Sequence, residues 1–216
     1  RSTLFPYTTL FRSGRVYFRA FEEEDAELIY QWMNDDDLKR MSVGLNRRMC
    51  KEEALEWVKA RMHHNDYRVF WAICAKDTGK MIGYTCLTDI HYINRSANFS
   101  GIVIGDKNYQ DGIAWIESYL FVYEYGFERL NLNRIEGTVI LGHKATIAIG
   151  DVMFSKGEGI LRQAAYKNGK YYDVGIGSLL RDEYYMHKEK GEYEISAVLK
   201  RFTKMIRDSK KAGKKV

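Results

Sequence analysis

Residues 98–114 carry the arrangement best suited to chemistry. Asn98-Phe99-Ser100-Gly101-Ile102-Val103-Ile104 reads as a strand, and Tyr109-Gln110-Asp111-Gly112-Ile113-Ala114 as a loop that opens a helix. A glycine-bearing loop at a helix N-terminus presents unpaired backbone N–H groups and the positive end of the helix dipole, which together cradle a phosphate or pyrophosphate. Gly112 and Ala114 leave room for a ligand to approach the backbone there. The same loop also serves as an ordinary strand-to-helix turn, so order and spacing along the chain have to decide. His63, His64 and His91 offer no metal site, because adjacent helical side chains diverge. Cys50, Cys74 and Cys86 form no CxxC pair, which excludes a Cys-rich zinc site and fits a reducing compartment, the cytoplasm.

Order and spacing are informative. The segment resembles the coenzyme A-binding motif of the GNAT superfamily of N-acetyltransferases, Arg/Gln-x-x-Gly-x-Gly/Ala. Gly112 and Ala114 stand on the last two fixed positions, and Tyr109 stands where Arg or Gln is usual, with Gln110 beside it. The likeness extends over about residues 14–185 and is closest to the branch of ribosomal-protein N-terminal and spermidine acetyltransferases. Arg19-Ala20-Phe21 through Asp25, Trp32 with Asn34-Asp35, Gly79 through Gly83, Arg134-Ile135-Glu136, and Gly159-Ile160-Leu161-Arg162 before Asn168-Gly169 carry it. Ile90-His91-Tyr92-Ile93-Asn94-Arg95-Ser96-Ala97 looks most like the polyamine members.

The resemblance implies an acetyl-CoA-dependent enzyme acting on a primary amine: a protein N-terminus, a polyamine or another small amine. It implies that backbone groups of Gln110, Asp111, Gly112, Ile113 and Ala114 bind the pyrophosphate. Ile102, Val103 and Ile104, on a strand splayed from its neighbour, would pair with the pantetheine arm like an added strand. The second cofactor helix of the family reads Asn-x-x-Ala/Ser-x-x-x-Tyr-x-x-x-Gly-Phe. Here Gly142 takes the Asn position, Ala145 and Phe154 match, Ile149 replaces the Tyr and Met153 the Gly. An alkylamine of pKa ~10 must lose a proton before it attacks. Glu136 is the candidate base, with pairing to Arg134 as its alternative role. The backbone N–H of Val103 is the candidate oxyanion donor. With no Tyr at position 149, Tyr166, Tyr171 or Tyr172 could protonate the departing thiolate, or simply pack as strand residues. A coenzyme-binding module without turnover is the alternative that Gly142, Ile149 and Met153 suggest.

The elements that must position these residues follow from periodicity and turn chemistry. Residues 16–21 read as a strand. A helix opens at the acids Glu22-Glu23-Glu24-Asp25, where the dipole favours negative charge, and stops at Asn34-Asp35-Asp36-Asp37, acids that could instead attract a cationic amine. A second helix covers 51–62. Strands at 69–75 and 81–89 flank Asp77-Thr78-Gly79-Lys80, and a strand at 97–104 precedes a helix at 113–128. A strand at 133–141, a helix at 144–153 and strands at 160–166 and 171–180 around Asn168-Gly169 complete the set. The order β-αα-ββ-β-α-β-α-ββ describes an α/β fold, a mixed and splayed sheet with helices on both faces.

Composition sets the outer bounds. A chain of 216 residues, 45% apolar and 29% charged, fits one globular domain. Residues 1–13, with Tyr7-Thr8-Thr9-Leu10-Phe11-Arg12-Ser13, look like a translated sequencing adapter and are set aside. Residues 14–185 form the expected acetyltransferase domain and 186–216 a basic amphipathic helix with a Lys-rich tail. Residues 200–216 hold eight Lys/Arg against one Asp, so the net +5 is concentrated there and the remainder is mildly acidic. Ile195, Val198, Leu199, Phe202, Met205 and Ile206 share one helical face. Docking on the domain, or on a second subunit in a homodimer, is the expected role. Membrane or nucleic-acid contact through the tail is the alternative, and the lysines from 210 onward are expected to be disordered. No run approaches the roughly 18 apolar residues of a membrane span.

Overall fold

The computed structural model describes residues 14–40, 42–43, 47–63 and 66–212; the expected adapter stretch, His64 and the last four residues lie outside them. The strands are β1 (Val16–Arg19), β2 (Val69–Ala75), β3 (Met81–His91), β4 (Ser96–Ile104), β5 (Arg134–Ile140), β6 (Lys156–Lys167) and β7 (Lys170–Leu180). The helices are α1 (Ala26–Met33), α2 (Asp36–Lys39), α3 (Lys51–Met62), α4 (Ile113–Glu124), α5 (Lys144–Val152), α6 (Arg181–Glu189) and α7 (Ile195–Ala212). One seven-stranded sheet runs in the order β1-β2-β3-β4-β5-β7-β6, antiparallel except where β4 meets β5. The mixed α/β architecture is therefore the one expected.

Central burial explains why β2 forms. Its alternate residues Val69, Trp71, Ile73 and Ala75 join the core under α4, while Phe70, Ala72 and Cys74 join the core under α1 and α3. A strand covered on both faces reads as a continuous apolar run. α4 is likewise buried nearly all round, with Ile116, Leu120, Phe121 and Val122 inside the core. Phe121 stacks on Phe18 of β1 at 3.8 Å and meets Trp71 of β2 edge-on at 5.1 Å. β6 and β7 close on Asn168-Gly169 at φ +48° and +80°, the left-handed pair that a tight hairpin needs.

Several elements differ from expectation. Asp35 does more than end α1: its carboxylate accepts the N–H groups of Asp37 (2.9 Å) and Leu38 (3.2 Å) and so starts α2. The helix expected to run to residue 128 leaves α-geometry at Glu124 and continues as a π-turn, Tyr125–Arg129. α6 was not anticipated, and it spans residue 185, where the main domain was expected to end. α7 extends to Ala212, into the stretch expected to be disordered. α7 docks on the domain: Val198 is fully buried, Arg201 donates to the carbonyls of Val152 (3.2 Å) and Glu192 (2.7 Å), and its guanidinium lies over Phe154. No helix among the described residues is long and apolar enough to cross a membrane.

Candidate active site

The phosphate-cradle geometry begins at Gly112, the residue before α4, which sits at φ +91°. A side chain there would be strained, so glycine is required for the turn. Among the described residues the main-chain amides of Asp111, Gly112, Ala114 and Trp115 take no partner within the chain. The Ile113 amide is different, for it donates to Asp111 Oδ1 at 3.0 Å. Asp111 therefore caps the helix itself and is ion-paired to Arg15 through its other oxygen. Tyr109, at the position usual for Arg or Gln, has its hydroxyl engaged: it donates to Asp77 at 2.8 Å. The Gln110 side chain donates to the Ile104 carbonyl at 2.9 Å, tying loop to strand.

β4 is opened by its pairing. It runs parallel to β5 only at Ser96↔Arg134, Ala97↔Ile135 and Asn98↔Glu136, after which β5 stays with β7 through Ile140. A register shift opposite Thr85 and Leu87 places a bulge near Gly101, at φ +117°, and bends the rest of β4 away. Residues 102–104 thus keep β3 on one edge and have no strand on the other, where the Ile104 carbonyl accepts from Gln110.

The alternation along that ladder corrects one expectation. Gly105 N–H donates to the Ile82 carbonyl at 2.9 Å, and bonded pairs alternate in an antiparallel ladder, so Val103 faces Tyr84 with both its polar groups. The Gly101 carbonyl also turns toward β3, where it accepts from Thr85 at 3.0 Å. Ile102 and Ile104, not Val103, present main-chain groups to the cleft. A period-two strand makes such an assignment sensitive to a one-residue bulge.

Two cavities, each about 500 Å³, lie along β4, α4 and α5. The outer one takes in Ile102, Val103, Ile104, Gln110, Asp111, Gly112, Trp115 and, from α5, Ala145, Ala148 and Ile149. Ala114 and Ile113 do not line it; Ala114 is buried in the core beneath the loop. Gly142 does not line it either, being exposed with open space where a Cβ would point. His143 takes the place beside the cavity instead, stacked near Trp115 at 6.3 Å and capping α5 through Thr146 N–H. Phe202, Met205 and Ile206 of α7 also face this cavity, a contribution visible in the sequence only as an apolar stripe.

The inner cavity holds the candidate base. Glu136 lines it together with Gly101, Tyr119, Tyr123 and Asp151. Glu136 Oε2 accepts from Arg134 Nε at 2.8 Å, the pairing anticipated as its alternative role, while Oε1 takes no bond among the described residues. Arg134 is also bound by Glu158, and the guanidinium holds that carboxyl down at about 2. The Tyr119 hydroxyl has no partner among the described residues, and burial pushes it up to about 12, so it stays protonated. Burial raises Tyr123 as well. Tyr166 and Tyr171 stand exposed on the β6–β7 hairpin and Tyr172 packs on Ile140, Ala165 and Val174, so none of these three reaches the cavity. Ile149, in the usual Tyr position, is buried. The signal for Tyr119 was its place two turns along the helix that Gly112 opens. No group of three His, Cys, Asp or Glu among the described residues could hold a metal.

Residues 15–151 match the family model of the acetyltransferase (GNAT) domain. The chain is 28% identical over 174 residues to the N-acetyltransferase YoaA of Bacillus subtilis, covering 80% of this chain and 97% of YoaA. It is 28% identical over 181 residues to the spermidine N(1)-acetyltransferase of Vibrio cholerae, covering 82% of this chain and 99% of that protein. A crystal structure of spermidine N-acetyltransferase from Vibrio cholerae in complex with CoA and spermine superposes with a TM-score of 0.72 at 23% identity, over 79% of this chain and 98% of that one.

Proposed function

Because the chain belongs to the GNAT acetyltransferase family and uses acetyl-CoA, we propose that it acetylates a primary amine of a small polyamine, with the cleft between β4 and β5 as the reaction site. The single observation that carries this reading is the divergence of the two strands after Asn98 and Glu136, beside the open amides of Asp111, Gly112 and Trp115 at the start of α4. Those amides suit a pyrophosphate, and the strand-free edge of Ile102 and Ile104 suits the amide-bearing arm of the coenzyme. The likeness to a spermidine acetyltransferase and the carboxylates Glu136, Asp151 and Glu158 near the inner cavity favour a cationic acceptor over a neutral one.

The proposed steps use this chain's own groups. The ammonium acceptor first gives one proton to solvent water, and Glu136 Oε1 accepts a second as the nitrogen of the free amine bonds to the thioester carbon. A main-chain N–H of Ile102 or Ile104 donates to the carbonyl oxygen as charge gathers there. The C–S bond then breaks, and Tyr119 supplies a proton to sulfur. Glu136 returns the amine's proton to the tyrosinate through water, so protons balance.

Release of free thiol from acetyl-CoA, followed across spermidine, spermine, N-terminal peptides and amino sugars, tests the proposal. Turnover confined to polyamines is expected. Turnover confined to peptides would replace the acceptor, and silence with tight coenzyme binding in calorimetry would favour the binding-module reading that Gly142, Ile149 and Met153 suggested.

A further inference from the structure

The apolar stripe of α7 outruns the protein that covers it. Val198 is fully buried, Phe202 and Met205, one and two turns on, are half-buried, and Ile206 is 38% exposed. All three outer residues face the cavity that contains Gly112, and the edge of the Phe202 ring lies 3.3 Å from where a Cβ on Gly112 would stand. Phe202 and Met205 pack on the core with part of their surface and meet the cavity with the rest, which leaves apolar surface for a ligand to cover. The helix is held in this place at its inner end, by Arg201 on the Val152 and Glu192 carbonyls and by the Tyr193 hydroxyl on the Met153 carbonyl at 3.3 Å. Exposed Lys204 and Arg207 flank the stripe, the sign of charge that a polyphosphorylated coenzyme attracts. YoaA and the spermidine acetyltransferase are matched over nearly their whole lengths, yet about a fifth of this chain lies outside those matches.

We propose that α7 is a wall of the coenzyme site, with Phe202, Met205 and Ile206 contacting the bound coenzyme A, so that coenzyme binding and docking of the helix reinforce each other. This rests on the outer cavity being the coenzyme site. Calorimetric titration of the full chain with coenzyme A tests both ideas separately. Ala145→Trp fills the cavity from the opposite, α5 side, and binding should be lost. Phe202→Ala should weaken binding roughly tenfold, and Ile206→Ala, at a position exposed enough not to endanger folding, about threefold. Hydrogen exchange of the wild-type amides at residues 198–208 should slow when coenzyme A is added.

Undiminished binding by Ala145→Trp would sink the cavity assignment itself. Loss of binding there, with Phe202→Ala and Ile206→Ala both matching the wild type, would sink the role of α7 alone. Tighter binding by Phe202→Ala, or faster exchange in α7 with coenzyme present, would mean that the helix obstructs the site, and would equally overturn the proposal.

Discussion

The carboxylate of Glu117, buried in α4, receives the main-chain N–H of Val16 at 2.9 Å through one oxygen and that of Arg15 at the same distance through the other. α4 is thus bolted to the first strand by hydrogen bonds to a charged acceptor. Such bonds contribute about 1.5–3 kcal/mol each. Glu117→Ala should cost roughly 3 kcal/mol and lower the thermal midpoint by about 6–12 °C. Calorimetric melting checks this; a drop below about 2 °C would mean that the two amides find water instead.

Tyr119→Phe keeps the ring contacts with Phe99 (4.7 Å) and Tyr123 (5.8 Å) and removes only the hydroxyl. If that hydroxyl protonates the leaving sulfur, kcat falls about 10²-fold while coenzyme affinity changes by less than about twofold. Burial pushes its ionisation up to about 12, so it donates throughout the neutral range and adds no pH dependence there. Steady-state kinetics with calorimetry decide the matter, and a kcat within twofold of wild type excludes the role.

Glu136→Gln preserves an acceptor for Arg134 and abolishes basicity. kcat/KM should fall roughly 10²-fold, with the residual rate climbing toward the amine pKa of ~10 because only free base then reacts. A change in melting temperature with an unchanged pH–rate profile would assign Glu136 to the Arg134 ion pair alone.

Glu158 titrates at about 2 in the folded protein against an ordinary 4.5, through its bonds to Arg134 and Ser178. A depressed carboxylate pKa contributes stability that is complete above about 4.5 and is lost as pH falls toward 2. Urea titrations at a series of pH values should show Glu158→Gln less stable than wild type above pH 5, with the gap closing by about pH 2. A gap independent of pH would show that the charge is not responsible.

Much of this architecture was legible without coordinates, because its signals are local. β2 and α3 begin and end where their apolar patterns place them, since burial acts on residues within each element, and the structure adds a Cys50–Glu53 capping box at the start of α3. Gly112 declared its loop because only a residue without a Cβ takes φ +91° cheaply. α2 and α6 went unread: the first depends on one Asp35 carboxylate choosing forward amides, and the second follows directly on a strand without a turn signal.

Residue type and spacing by themselves determined the family likeness, the order of the strands and the glycine turn before α4, since each rests on backbone preferences that neighbouring residues impose. Only the tertiary structure decided which main-chain groups of 102–104 face the cleft, that Tyr119 shares a cavity with Glu136, and that α7 reaches Gly112. The reason is physical. A single bulge near Gly101 resets the facing of every following strand residue, and the contact between Gly112 and Phe202 forms through packing between segments far apart in the chain, where no local periodicity records it.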